Sequence, residues 1–382
     1  MNKKVITPVG TSLFANYFEK PRDSVTKTKY DTIKYLPVDK WNERGVASCI
    51  DIVRKKVLPW AKGKIEKEPT PEIDASAEIK SLVKILKDGE DSLEVYLLTT
   101  ETVISRLAAE ILHGVLHGYA TDGKTMNILF NPDKDVISGL QVERKEDFIK
   151  VGMTELIKRV YEIINAYPDN VMLNITGGYK ATIPYLTIMG QIHKLPLYYI
   201  FEDTEGLMLI PQIPIDISWQ IFNTYWKSFT QLEHDDVVQA DSLMYQFKNE
   251  CSSCLEITGN LVSLNPLGRI LWQRYCSQYL LFYCPDDVWE EIQRQSHIHD
   301  ILKAKFHHLR IRNNKTERKN GHIVYDDGDN PYRIYYFEEK GKLYIYRTFE
   351  DHQAAENFIS ESFNKETIMY NSSLRKIDLC NQ

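Results

Sequence analysis

Strand-like and helix-like hydrophobic patterns alternate along the first 215 residues. Short apolar runs predict six strands, at Lys4–Val9, Ser92–Thr99, Met126–Phe130, Val171–Thr176, Leu197–Phe201 and Leu207–Ile210. The last two form a hairpin-like pair around Glu205 and Gly206. Apolar residues at helical spacing predict helices from Ile104 to Ile111, over Met153–Ala166 and from Tyr185 to Ile192. This alternation predicts the α/β class, with a mostly parallel sheet covered on both faces. The charged stretch Lys62–Pro71 predicts a solvated loop.

The pattern changes over residues 216–284, which we interpret as a middle domain. Helices are predicted at Trp219–Leu232 and Val237–Asn249, followed by a hairpin that turns at Gly259 and Asn260. Asn265 and Pro266 then provide an N-cap and a first-turn proline for a helix over Leu267–Phe282. Helices with one small hairpin resemble a winged helix.

Residues 285–382 change again and predict an α+β domain. Two helices, at about Asp286–Gln295 and Ile298–Leu309, come before three strands and a closing helix. The strands alternate apolar and polar positions. They are predicted at His322–Tyr325, Tyr332–Glu338 and Lys342–Phe349, with the closing helix at Asp351–Phe363. The predicted order is therefore α-α-β-β-β-α.

Composition narrows the function classes. With 43% apolar residues the 382-residue chain has enough material for two or three folded domains. The net charge of −6 argues against general nucleic-acid binding, so an RNA site has to be a local basic patch. The six cysteines hold one CxxC pair, Cys251 and Cys254, without a second pair at zinc-site spacing. Together with the lack of a signal-peptide or membrane-span pattern, this predicts a cytoplasmic protein with reduced thiols and no metal site.

Three loops follow predicted strands and form the first candidate site. They are Gly10-Thr11-Ser12, Thr99-Thr100 and Thr176-Gly177-Gly178-Tyr179-Lys180. Ligands of open α/β sheets bind beyond the carboxyl ends of strands. Glycine lets backbone N–H groups approach phosphate, a lysine adds charge, and hydroxyls can bond phosphate or ribose. The GxGxxG and Walker A patterns are absent, which disfavours dinucleotide binding and NTP hydrolysis.

Two of these motifs, residues 7–16 (TPVGTSLFAN) and residues 174–180 (NITGGYK), resemble the CARF family of CRISPR-associated Rossmann-like domains. The resemblance covers roughly residues 1–215, and residues 216–284 resemble the winged-helix connector often found behind such domains. It implies a homodimer that binds a cyclic oligoadenylate across its two-fold axis, and an even ring such as cyclic tetra-adenylate suits that symmetry. The implied ligand-binding residues are Gly10, Thr11, Ser12, Thr99, Thr100, Thr176, Gly177, Gly178 and Lys180.

A basic stretch at residues 303–322 forms the second candidate site. It holds seven lysines and arginines against the single acid Glu317, which is typical of phosphate binding. The element order and residues 332–349 resemble RelE-type toxins, small ribonucleases that cleave mRNA on the ribosome. The resemblance covers roughly residues 285–365. It places a catalytic arginine at Arg333 and a later basic residue near His352.

This region departs from the RelE pattern at one point. The usual pair of lysines is missing, and Val324 and Asp326 stand in their place. Candidate substitutes are Arg310, Arg312, Arg318, Lys319 and His322. Cleavage by the RNA 2′-OH needs a base, an acid and cations that stabilise the developing charge. Arginine suits the last role and histidine the proton transfers, so metal-independent cleavage is expected.

Two alternatives remain open at this stage. Arg294-x4-His299 and Arg347-x4-His352 fit the R-x4–6-H spacing of HEPN ribonucleases, which are helical and act on free RNA. A non-enzymatic CARF winged-helix transcription regulator, by contrast, would end near residue 284. The preferred hypothesis is a CARF sensor (1–215), a winged-helix-like connector (216–284) and a RelE-like mRNA interferase domain (285–382).

Overall fold

The computed structural model describes residues 2–20, 23–67, 75–141, 147–166, 170–201, 206–214, 216–328 and 330–379. Two compact units divide the chain. Residues 1–217 with 265–270 form the first, and residues 218–264 with 271–382 form the second. The predicted α/β class is confirmed, since both units combine sheets with helices. No helix in the described ranges is long and apolar enough to span a membrane.

A seven-stranded sheet forms the centre of the first unit. Its strands are β1 (Lys3–Val9), β2 (Leu93–Thr99), β3 (Ala120–Thr121), β4 (Lys124–Leu129), β5 (Val171–Asn174), β6 (Leu197–Ile200) and β7 (Leu207–Ile210). The order is β3-β4-β2-β1-β5-β6-β7, with the five inner strands parallel and both edge strands antiparallel. The predicted mostly parallel sheet is thus confirmed, and the buried runs that suggested it line both packed faces.

Helices cover both faces of this sheet, as the sequence predicts. They are α1 (Ser12–Phe18), α2 (Ser24–Ile33), α3 (Arg44–Lys67), α4 (Ala77–Asp88), α5 (Val103–Leu116), α6 (Pro132–Asp135), α7 (Met153–Ala166) and α8 (Ile183–Ile192). One apolar cluster holds buried residues of α3, α4 and α5, and a second holds those of α7 and α8.

The predicted loop over Lys62–Pro71 is wrong in its first part. Helix α3 continues to Lys67, because Ile65 is buried on its apolar face. Residues 68–71 lie outside the described residues, as does Glu205 of the predicted hairpin turn.

The second unit begins with helices and a small sheet. Its elements are α9 (Gln220–Asp235), β8 (Val238–Gln239), α10 (Tyr245–Glu250), β9 (Leu255–Thr258), β10 (Leu261–Leu264) and the part of α11 (Pro266–Cys276) that follows residue 270. The predicted hairpin is confirmed, with Gly259 at a positive φ of 61° in its turn. The predicted helix over Val237–Asn249 is wrong in its first part and confirmed in its last part, where α10 covers Tyr245–Glu250. Val238 is buried and pairs with Val262 as a third strand, so this tertiary pairing overrides the helical spacing.

A six-stranded sheet completes the second unit. Its strands are β11 (Tyr279–Pro285), β12 (Thr316–Lys319), β13 (His322–Asp326), β14 (Arg333–Glu339), β15 (Lys342–Phe349) and β16 (Ser372–Asp378), in the order β12-β13-β14-β15-β11-β16. Its helices are α12 (Asp286–Arg294), α13 (Ser296–Ile301), α14 (Leu309–Asn314), α15 (His352–Phe358) and α16 (Lys365–Asn371). The three strands predicted here are confirmed.

Three strands of this sheet were missed, and the observed order is longer than α-α-β-β-β-α. The helix predicted over Leu267–Phe282 stops at Cys276, and β11 follows with Leu280, Phe282 and Cys284 buried at alternate positions. β11 pairs with β15 and β16, so one strand of the C-terminal sheet begins before the predicted boundary at residue 284. The division into three domains itself stays a prediction.

Candidate functional site

The three loops singled out in the first unit meet at one edge of its sheet. β1 and β2 run in register, with Val9 beside Thr99 at their carboxyl ends. β5 lies on the other side of β1, with Leu173 beside Ile6. The chain therefore leaves β1, β2 and β5 at neighbouring points.

A buried glutamate that the sequence analysis missed ties two of these loops together. Glu78, 1% exposed, lies in the first turn of α4. The backbone N–H of Gly10 donates to Glu78 Oε1 at 2.8 Å, and the Ser12 hydroxyl donates to Oε2 at 3.1 Å. Ser12 Oγ in turn accepts from the backbone N–H of Ala77 at 3.2 Å. The donors of Gly10 and Ser12 thus face a carboxylate of the chain itself.

The two glycines of the third loop are required by close approach. A Cβ built on Gly177 lies 2.6 Å from Glu78 Cδ, and one built on Gly178 lies 2.5 Å from Pro8 Cβ. Gly178 also has a φ of +89°, which other residues rarely adopt. Glycine is therefore needed here so that the loop after β5 can pack against β1 and α4.

A cavity of about 360 Å³ opens at this edge of the sheet, within the size range of ligand pockets. Four predicted residues line it: Gly10, Thr11, Thr100 and Gly178. The other lining residues were not predicted; they are Val9, Lys34, Tyr35, Pro37, Thr102, Ile104, Ser105, Gln141 and Tyr179. The lining residues that follow α2, namely Lys34, Tyr35 and Pro37, belong to no sequence motif that could have identified them.

Hydroxyl groups form a connected set on one side of this cavity. Thr100 Oγ1 lies 3.1 Å from Thr102 Oγ1. Ser105 Oγ accepts from the Thr100 backbone N–H at 3.3 Å and donates to the Val9 carbonyl at 3.1 Å. Such groups can exchange hydrogen bonds with the hydroxyls and phosphates of a nucleotide.

Three predicted residues have other surroundings. Thr99 is fully buried, with Oγ1 donating to the Asp135 carbonyl at 3.5 Å. Thr176 Oγ1 accepts from the backbone N–H of Ile200 at 3.0 Å. Lys180 is exposed at the start of a short 3-10 turn. Thr99 and Thr176 therefore hold the strand ends in place.

The second unit gathers Arg333 and His352 at one end of β14. Arg333 is 8% exposed, and its Nη2 lies 3.0 Å from Asp326 Oδ2 and 3.4 Å from His352 Nδ1. Its Nη1 donates to the carbonyls of Asn330 at 2.7 Å and Tyr332 at 2.8 Å. The side chain that stands where a lysine was expected, Asp326, is thus the ionic partner of Arg333.

His322 has a different environment. It is fully buried at the other end of β13 from Asp326. Its Nδ1 lies 2.8 Å from Tyr346 Oη, and its Nε2 lies 2.8 Å from the Glu361 carbonyl. Both ring nitrogens are therefore engaged, and the ring packs among aromatic side chains including Phe363.

The remaining basic candidates are dispersed. Arg312 is buried and pairs with Glu338 at 2.6 Å. Lys319 Nζ lies 3.1 Å from Glu317 and 3.7 Å from a carboxylate of α15. Arg310 and Arg318 are exposed. None of these four is placed at Arg333 by a described hydrogen bond or ion pair.

Two lysines that the sequence analysis did not rank reach the loop after β13. Lys305 forms an ion pair with buried Asp327, and Lys315 Nζ donates to the Asp327 carbonyl at 2.9 Å. Asn330, whose carbonyl holds Arg333, also donates to Asp327 Oδ2 at 3.3 Å. Part of the basic stretch thus supports the loop that carries Arg333.

The CxxC pair lies in an apolar environment. Cys251 and Cys254 are both buried and free, and burial raises the pKa of the Cys251 thiol to about 12. Burial likewise raises the pKa of Cys254. Across the described ranges no group of three or more His, Cys, Asp or Glu side chains is arranged to hold a metal ion.

Comparison with known proteins bears on the first unit. Residues 73–213 match the model of a CRISPR-associated protein family, Cas_APE2256. That stretch contains β2, β5 and the Gly177-Gly178 loop, so this part of the chain is similar to a CRISPR-associated protein, as its motifs predict. The RelE-like assignment of the C-terminal region stays a prediction.

No curated protein matches the sequence. Among solved structures, the chain is similar to Can2 from Sulfobacillus thermosulfidooxidans, determined in complex with cyclic tetra-adenylate (cA4). The identity is 12%, the match covers 75% of this chain and 79% of that chain, and the TM-score is 0.23.

Proposed function

We propose that this chain is a cyclic-oligoadenylate-activated endoribonuclease of CRISPR defence that cuts mRNA on the ribosome. The observation that carries the proposal is the meeting of Arg333 and His352 at one end of β14, beside the loop held by Lys305 and Lys315. The CRISPR-associated match of residues 73–213 and the RelE-like pattern of residues 332–349 support it.

The proposed chemistry is attack of the RNA 2′-OH on the adjacent phosphate, with no metal taking part. The P–O2′ bond forms and the P–O5′ bond breaks, which leaves a 2′,3′-cyclic phosphate, and the leaving 5′-oxygen takes a proton from water. His352 is exposed and can take the proton from the 2′-OH, while Arg333 stabilises the charge that develops on the phosphate oxygens. In this structure the Nη2 group of Arg333 contacts Asp326 and His352. A phosphate must therefore replace Asp326 before the guanidinium can bind it through two N–H groups.

The proposed sensor is the cavity of the first unit. Hydroxyls of Thr11, Thr100 and Thr102 line it, together with backbone of Gly10 and Gly178, which suits ribose and phosphate groups. The favoured activator is cyclic tetra-adenylate, because a two-fold homodimer matches an even ring. Ribosomes and mRNA as partners imply a cytoplasmic site of action.

The HEPN-type alternative is disfavoured by where its residues lie. Arg347 is on β15 and its Nη1 is 3.8 Å from both Asp287 and Glu291. Arg294 ends α12, and His299 lies on the separate helix α13. A six-stranded sheet is also unlike a helical HEPN domain.

The test is RNA cleavage by the full chain, with and without ribosomes, across a panel of cyclic oligoadenylates. We expect cleavage only with one ring size and mainly on translating ribosomes, mapped by toeprinting. Arg333→Ala should lower the rate about a hundredfold, which corresponds to about 3 kcal/mol of transition-state stabilisation. Arg294→Ala is the matched control, since Arg294 is 73% exposed on the same unit.

Three results would contradict the proposal. Equal cleavage of naked and ribosome-bound RNA would show that the ribosome is not required. Full activity of Arg333→Ala would show that Arg333 does not belong to the catalytic site. Sequence-specific DNA binding with no cleavage under any condition would instead favour the winged-helix transcription regulator.

A further inference from the structure

Two side chains on the segment after α2 form a rim of the sensor cavity that no motif marked. Lys34 and Tyr35 both line the cavity, as do Gly178 and Tyr179 of the loop after β5. Tyr35 is 66% exposed, while its neighbours Ile33 and Leu36 are packed into the apolar cluster of α3, α4 and α5. The two rim residues thus lie between buried Ile33 and partly buried Leu36.

Backbone hydrogen bonds hold this segment in one position. The N–H of Leu36 donates to the Ile33 carbonyl at 3.1 Å, and the Leu36 carbonyl accepts from Val103 N–H at 2.9 Å. Val38 N–H donates to the Glu101 carbonyl at 3.3 Å. Because the rim is already fixed to the first turn of α5, ligand binding costs little conformational entropy here. More of the free energy of the contacts therefore contributes to affinity.

The chemistry of the rim suits a nucleotide. The Lys34 ammonium lies 4.5 Å from the centroid of the Tyr35 ring and 3.7 Å from Asp31 Oδ1. An exposed aromatic ring offers a face on which a base can stack, and an adjacent ammonium can neutralise the phosphate that follows the base. Gln141 lines the same cavity, with its Nε2 held by Glu101 Oε2 at 3.1 Å, and provides a fixed carboxamide.

We propose that Tyr35 is the stacking platform for one base of the cyclic oligonucleotide and that Lys34 neutralises its phosphate. This inference rests on the proposed sensor function and adds to it the residues that select a purine ring. A purine offers a larger face than a pyrimidine, so stacking on Tyr35 favours adenine over uracil. The contact depends on the aromatic face and not on the phenol hydroxyl.

The experiment measures binding of cyclic tetra-adenylate and cyclic tetra-uridylate to the full chain by calorimetry. Tyr35→Leu should weaken the adenylate ring roughly tenfold while changing the uridylate ring less, and Tyr35→Phe should stay within about twofold of the parent. Tyr245→Leu is the matched control, an equally exposed tyrosine in the second unit. Lys34→Met should weaken binding and reduce the slope of the logarithm of the binding constant against the logarithm of salt concentration by about one. Lys55→Met should change neither.

The outcomes separate this inference from the function on which it rests. If the parent binds none of the rings, the sensor proposal and this inference fail together. If the parent binds cyclic tetra-adenylate and Tyr35→Leu binds it equally well, the stacking platform alone is wrong. Loss of binding in both Tyr35→Leu and Tyr35→Phe also overturns it, because the hydroxyl would then be the contact. Thermal unfolding checks that each variant is folded.

Discussion

At the scale of single residues, the proposed RNA site depends on the balance of charge around Arg333. Asp326 and Arg333 form an ion pair whose side chains are 14% and 9% exposed, so water screens it only in part. The pair places a carboxylate on the group that has to receive a phosphate. This carboxylate stands where the RelE pattern has a lysine, and a cation there would repel the guanidinium instead of holding it.

We therefore predict that Asp326→Asn raises RNA affinity and activator-independent cleavage by roughly threefold to tenfold. This corresponds to an ion-pair free energy of about 1 kcal/mol that no longer competes with phosphate binding. The amide keeps the shape of the side chain but competes less well with phosphate. Fluorescence anisotropy with a non-cleavable RNA and the basal cleavage rate measure the two effects. Asp287→Asn is the control, because Asp287 is exposed and 3.8 Å from its arginine. Lower cleavage with unchanged RNA affinity would show that Asp326 positions Arg333 rather than blocking it.

A second prediction concerns His322, which the sequence offered as a proton carrier. His322→Ala removes two hydrogen bonds and a ring packed against Tyr346 and Phe363, so we expect a loss of about 2–4 kcal/mol in the local free energy of unfolding. Hydrogen exchange of β13 amides, followed by mass spectrometry, measures it. The exposed His308 provides the matched control. A variant of normal stability that has lost cleavage would return His322 to the chemistry.

At the scale of elements, the edge of the first sheet depends on the contact between Glu78 and the loop after β5. Gly177→Ala should destabilise the first unit by about 1–3 kcal/mol, because its Cβ overlaps the Glu78 side chain. Gly63→Ala, inside α3 with open space at its Cβ, should be neutral or stabilising by up to about 1 kcal/mol. Hydrogen exchange of β1 and β5 compares the two. Equal stability of both variants would mean that Glu78 moves aside at little cost.

The elements also show what a sequence can and cannot predict. Strands β1, β2 and β5 were predictable because each is a short apolar run followed by a turn signal, and the meeting of their ends follows from parallel pairing. Glu78 was not predictable, since a glutamate in the first turn of a helix is usually solvated. Its burial depends on Gly10 and Ser12, 68 and 66 residues away in the chain.

The same limit applies in the second unit. β14 and β15 alternate clearly, so their hairpin was predictable from local pattern, whereas Arg333 was singled out only by the resemblance to RelE-type toxins. β16 was missed because residues 372–378 pair with β11, and β11 was itself not recognised. Its apolar residues continue the pattern of α11, so both segments were predicted as one helix. His322 shows the reverse case: residue type suggested chemistry, and the surrounding aromatic side chains place it in the core, which the sequence pattern did not indicate.

At the scale of the whole molecule, the net charge of −6 means that the proposed RNA binding has to rely on a local basic region. The exposed Arg310 and Arg318 lie outside the Arg333 contacts and can hold the RNA backbone, while Lys305 and Lys315 brace the loop after β13. The proposed function thus uses different cations for holding RNA and for cleaving it. A ligand in the first unit can activate this arrangement only by binding one conformation better than another.

The last prediction concerns how many chains share one activator. The proposed ligand is an even ring with a two-fold axis, and a two-fold homodimer that brings two cavities together can contact both halves of it equivalently. We expect calorimetry to give about one ring for every two chains, with sedimentation showing a dimer at micromolar concentration. Activity should then fall more steeply than linearly on dilution without ring, and less steeply with it, because a shared ligand stabilises the dimer by mass action. Mixing parent chain with an excess of Lys34→Met chain, whose proposed phosphate contact is removed, should lower activator affinity in the mixed dimers. One ring per chain on a protein that stays monomeric would contradict the shared site, and each cavity would then have to bind and signal alone.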